Sequence, residues 1–221
     1  MSWAKRSKAM AKGATLAGAL LLTMSALPAT SGQTQYFMGD VWGVWQVLPD
    51  GGEGPEEKPR CMFGTRTWTH KGLNFMYVLT GLNYIEPQLQ VYSENWELPV
   101  GEKTNVDLVT VAGPLNFELK AEGTNYLTGS LDPAVIGNDK AFALLGALSY
   151  LLDSRRSGIS MSVKFAGNES EWPIPPMKQL ETYRVKGAID KCYADLKAKA
   201  ADYFAKDGGQ PNRKTSPFAQ P

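Results

Sequence analysis

The chain has 221 residues, 43% hydrophobic and 20% charged, with 23 Lys plus Arg against 22 Asp plus Glu, two cysteines and one histidine. So even a charge balance gives no electrostatic reason to expect nucleic acid or an anionic membrane as partner. Zinc would need three or four Cys, His or acidic ligands, and the two thiols are better explained by a disulfide.

Residues 1–29 read as a targeting segment. Lys5, Arg6, Lys8 and Lys12 form a basic stretch without acids, and Gly13 to Ala29 is a run of apolar and small residues ending at Leu27-Pro28-Ala29. This is the pattern of a cleaved secretory signal; for an uncleaved anchor the run is short and weakly apolar. Cleavage after Ala29 removes the four basic residues, leaving 19 Lys plus Arg against 22 Asp plus Glu, a net charge of about −3. No transmembrane span remains after cleavage, and the expected location is periplasmic or secreted.

Thr30 to Gln35 reads as polar and loose. Tyr36-Phe37-Met38 leads into a first strand, Val41 to Val47, whose Trp42 and Trp45 cannot share a face; Trp45 is placed in the core and Trp42 at the strand entrance. Pro49 to Arg60 is a loop built around Asp50-Gly51-Gly52. A second strand, Cys61 to Trp68, presents Phe63, Thr65 and Thr67 on one face. His70-Lys71-Gly72 turns the chain into Leu73 to Leu79. Short segments follow at Gln88 to Tyr92, Trp96 to Pro99, Asn105 to Val111 and Leu115 to Ala121, with Thr124 to Thr128 continuing the sheet. Strands joined by short links are the mark of an antiparallel sandwich or barrel.

The texture then changes. Asp132-Pro133 or Asp139 caps a helix over Lys140 to Asp153 with Phe142, Leu145, Leu148 and Leu152 as its packed stripe. Ile159 to Phe165 alternates as a strand, and Trp172-Pro173-Ile174 is an edge segment turning Trp172 and Ile174 inward. From Val185 a second helix carries Ile189, Cys192, Leu196 and Tyr203. The expected fold is therefore mainly β, an antiparallel β-sandwich or partly open barrel with two packed helices. It forms a single domain over residues 36–205, followed by a disordered tail at 206–221.

Two cysteines in an exported chain are most simply a disulfide, Cys61 to Cys192, with unpaired thiols or pairing to another chain as the alternatives. Closing so long a loop is worth roughly 5 kcal/mol at the upper end. Catalytic residues are not assigned. His70 sits at a turn, Glu169 and Glu171 share a face if extended, and Glu56-Glu57 are adjacent; acids beside turns are usually solvated. No metal site or cofactor is expected.

The order of segments resembles the invasion-associated locus B family of bacterial periplasmic or secreted proteins, or a related exported family with the same C-terminal pattern. The resemblance is carried by Trp42-Gly43-Val44-Trp45-Gln46-Val47, Cys61, Trp96-Glu97-Leu98-Pro99-Val100-Gly101, Leu151-Leu152, Ile159 to Phe165, Trp172-Pro173-Ile174-Pro175 and Cys192. It implies a mainly β exported domain with an envelope or host-interaction role and no active site to transfer. Departures from the family are the presence of only two cysteines and the Pro/Gly-rich segment before Cys61.

The leading expectation is a non-enzymatic envelope protein, a macromolecular binding or structural module with a protein partner in the cell envelope or outside the cell. The alternative is a binder of small apolar or glycan ligands, with Trp42, Trp68, Tyr84 and Tyr92 as stacking surfaces. A hydrolase is the third reading.

Overall fold

The computed structural model describes residues 32–48, 58–65, 70–153 and 160–206. Residues 1–29, expected to be a targeting segment, and residues 207–221 lie outside the described residues, as do Glu56, Glu57 and Trp68. Ten strands form one continuous antiparallel sheet in the order β1-β2-β3-β4-β5-β8-β7-β6-β9-β10. They are β1 Gln33–Met38, β2 Trp42–Val47, β3 Arg60–Thr65, β4 Lys71–Gly81, β5 Tyr84–Ser93, β6 Lys103–Thr110, β7 Gly113–Gly123, β8 Tyr126–Ser130, β9 Met161–Phe165 and β10 Trp172–Ile174. Three helices follow the same chain order: α1 Pro133–Ile136, α2 Asn138–Leu151 and α3 Gln179–Lys206.

The mainly β, antiparallel expectation holds. The sheet does not close into a barrel, and two details are corrected: there is one sheet rather than the two of a sandwich, and there are three helices among the described residues rather than two. The extra helix is one turn long. Asp132 caps it, its carboxylate accepting from the Ala134 N–H at 2.8 Å with Pro133 at the first helical position. Such a turn carries no apolar period by which it can be read.

Period-2 alternation sorts the strands onto two faces. On one face Trp42, Val44, Cys61, Phe63, Leu73, Phe75, Leu89, Val91, Val106, Leu108, Phe117, Leu119, Met161 and Val163 form the main core. α3 closes that core over β1 to β4 by burying Val185, Ala188, Cys192, Leu196 and Ala200, and α2 contributes Leu144 and Leu151. Trp45, Met62, Met76 and Val78 make a smaller cluster on the opposite face. Both tryptophans of β2 are thus buried, on opposite faces. Trp42, expected at the strand entrance, is at the centre of the main core, fully buried and stacked on Phe63 with ring centroids 5.0 Å apart.

The Trp42 indole N–H donates to the carbonyl of Pro175, immediately after β10, at 2.8 Å. The far end of the sheet is thereby bent back to its second strand. Cys61 in β3 and Cys192 in α3 are bonded, with Cα atoms 5.9 Å apart, and both are buried.

Other elements moved. Gln33 to Gln35, expected to be loose, belong to β1; a bulge at Tyr36 lets both Tyr36 and Phe37 pack toward the core. β5 starts at Tyr84, four residues earlier than expected, despite Pro87. That proline lies beyond the stretch paired with β8, and its carbonyl receives the Leu131 N–H, so its missing donor costs the ladder nothing. Trp96 to Pro99, expected as a strand, is irregular. α3 begins six residues before Val185.

Candidate ligand-binding cavity

The stripe expected to pack α2 is corrected by the structure. The helix buries Ala141, Leu144, Ala147 and Leu151, while Phe142 and Leu145 are 71% and 58% exposed. Two of the four packing positions are alanines, so the larger side chains look like the natural core face when only the sequence is read. Leu148 and Leu152, also in the expected stripe, do pack against the core.

Ala141, Leu144, Leu145 and Leu148 recur at helical spacing and wall a cavity of about 260 Å3. Its floor is Phe75, Met76 and Tyr77 of β4 with Pro87 of β5, and Leu131 and Pro133 close one end. The lining is apolar apart from the phenol of Tyr77. At the rim Tyr77 meets Tyr193 of α3 edge to face at 5.1 Å, and both rings are partly exposed. Burial raises the Tyr77 pKa, helped by Tyr193 and by the negative charge of Asp190, so the phenol keeps its proton. Asp190 is itself paired with Lys186 at 3.4 Å.

One expected ligand residue borders this cavity without lining it. Tyr84 is half exposed, and its hydroxyl donates to the free oxygen of the Asp132 carboxylate. That hydrogen bond lowers the Asp132 pKa and raises that of Tyr84. It holds the α1 cap, and with it Pro133, at the cavity's end. The two other candidates among the described residues go elsewhere. Trp42 is in the core. The Tyr92 ring covers Gly72, where an added Cβ would meet it at 2.2 Å, so it is a lid on a glycine.

Among the described residues, the polar groups considered for chemistry are dispersed. His70 occupies a left-handed turn, φ 57°, with Nδ1 2.7 Å from Glu94 and both side chains mostly in solvent. Glu169 and Glu171 do not pair. Glu169 accepts the indole N–H groups of Trp96 at 3.0 Å and Trp172 at 2.8 Å, while Glu171 accepts from Ser162. The two indole donors, with a smaller effect of Lys71, lower the Glu169 pKa. Lys71 also stands over the Trp172 ring at 5.0 Å. Among the described residues no three His, Cys, Asp or Glu gather as metal ligands, and no helix is long and apolar enough to cross a membrane.

Sequence reading missed the cavity because its lining comes from β4, β5, α1 and α2 and has no local signature. A usable hint was present in α2, where two offset apolar stripes compete for one buried face. No family model, no curated protein and no solved structure matches the chain.

Proposed function

We propose that this is a non-enzymatic, exported binding protein, periplasmic or secreted, that takes a small apolar ligand in the cavity between α2 and the sheet. The observation that carries the reading is the cavity's combination of a nearly all-apolar lining with one protonated phenol at its rim. By comparison with an engineered cavity of 150 Å3 that holds benzene, this one suits roughly ten carbon atoms. Among the described residues no Lys or Arg lines the cavity to hold an anionic head, so the ligand is an uncharged one, a medium-chain alcohol rather than the corresponding acid. The same lining speaks against a glycan.

Export is supported by the first 29 residues and by the disulfide, a bond characteristic of oxidising compartments. Kinship with the invasion-associated locus B family belongs to the same proposal. It rests on the order of the Trp42–Val47, Trp96–Gly101 and Trp172–Pro175 segments around the two cysteines. The scaffold acts as a partly open barrel, with the Trp42 to Pro175 hydrogen bond drawing its ends together.

The test is calorimetric titration with 1-decanol and with decanoate, on the wild type and on Ala141→Leu, which fills the cavity from a buried position. Saturable binding of decanol, at least tenfold weaker for decanoate and for the variant, supports the proposal. Equal binding by wild type and Ala141→Leu, or no uptake of either probe, overturns it.

A macromolecular partner is the second reading. The β1 edge of the sheet, six residues without proline or charge, favours it.

A further inference from the structure

The two ends of the sheet are finished differently. β10 is three residues long and contains Pro173, two of the usual ways of making an edge strand unreceptive. β1 is six residues, Gln-Thr-Gln-Tyr-Phe-Met, without proline or charge. The Leu48 N–H donates to the Gly32 carbonyl at 2.8 Å, and the alternation of an antiparallel ladder then leaves the main-chain groups of Gln35 on the side away from β2.

A groove of about 520 Å3 runs along this edge, lined by Gln35 to Met38 and by Arg184, Gly187, Ala188 and Lys191 of α3. The four helix residues form one stripe. Gly187 is its low point: a Cβ built there meets nothing within 4 Å. Glycine is the poorest helix former after proline, and no packing contact requires it here. Its effect is to keep the groove open.

The groove also has a sign. Arg184 has no carboxylate partner among the described residues. Lys191 lies 5.5 Å from the Tyr36 ring centroid and 3.1 Å from Asp195, whose carboxylate also accepts the Tyr36 hydroxyl at 2.7 Å. Asp195 is thus taken up by Tyr36 and Lys191, and Arg184 is left as the net positive charge of the groove. A second copy of this chain adding its own β1 would bring the same net positive charge to the contact, which like-charge repulsion disfavours.

We propose that the β1 edge receives an extended, acidic segment of a partner protein as an eleventh strand, with main-chain hydrogen bonds to Gln35 and neighbouring residues and acidic side chains over Arg184 and Lys191. The site is separate from the α2 cavity, and either stands without the other.

Fluorescence anisotropy with a labelled eight-residue peptide of alternating Val and Glu tests it. The comparison peptides are the Val and Lys counterpart and the Val and Glu peptide N-methylated at alternate residues. Saturable binding of the acidic peptide is expected, at least tenfold weaker for both counterparts and for Gly187→Gln and Arg184→Glu. Gly187→Gln replaces a poor helix former in open space, so its melting temperature stays at or above wild type and its loss of binding is not a folding defect. The proposal is overturned by equal binding of the N-methylated peptide, by indifference to both variants, by no binding at all, or by peptide-free dimers that exclude the peptide in sedimentation.

Discussion

Glu169 is the residue on which the far end of the sheet turns. It holds two indole N–H groups, and Trp172 is fully buried, so removing the acceptor strands a donor out of water. Glu169→Gln keeps the size but offers one acceptor oxygen, and is expected to cost about 1–2 kcal/mol at neutral pH. The pH dependence has a definite sign. The folded state holds this carboxyl below its ordinary 4.5, so its contribution is complete above about pH 5 and is lost as pH falls through the lowered value. Melting temperatures measured from pH 3 to 7 should therefore fall less steeply on acidification in Glu169→Gln than in the wild type. A parallel fall in both proteins would mean that the carboxylate is not the group being titrated.

At the scale of elements, the two faces of α2 give the sharpest contrast. Leu144 is buried between helix and sheet, and truncation to Ala should cost about 2–5 kcal/mol. Phe142→Ala and Leu145→Ala, on the exposed side, should stay within about 0.5–1 kcal/mol of wild type in urea midpoints. The reverse ranking would restore the stripe read from the sequence. That stripe failed for a physical reason: a helix with small residues against a sheet buries its alanines and leaves larger side chains at the rim, so size ranks the faces wrongly.

Strands were more legible than helices because alternation reports the face directly. Leu115, Phe117 and Leu119 in β7 and Met161 and Val163 in β9 needed no tertiary context. Trp172 and Ile174 were read as turned inward on a proline-bearing edge, and they are. The cysteine pairing was read from compartment and count, and the bond is present. What stayed hidden depends on distant chain segments meeting: β5 pairing β8, β6 pairing β9, the cavity between β4, β5, α1 and α2, and the edge groove, whose walls come from opposite ends of the chain.

Across the whole molecule, the Cys61–Cys192 bond joins the third strand to the last helix over a sequence separation of 131. α3 has other attachments to the same region. Lys199 donates to buried Gln46 at 2.8 Å, Tyr36 to Asp195 at 2.7 Å, and the Asp40 N–H to Glu181 at 2.8 Å. Val185 and Leu196 are fully buried under it. These contacts act in the folded state, whereas the disulfide acts mainly by restricting the unfolded chain. Replacing both cysteines by serine should thus leave the native far-ultraviolet spectrum unchanged while lowering stability by about 2–5 kcal/mol. The dependence of stability on urea concentration should steepen, because an unlinked chain exposes more surface when it unfolds. Loss of α3 ellipticity in the folded double variant would show instead that the bond, and not the packing of Val185 and Leu196, is what keeps the helix on the sheet.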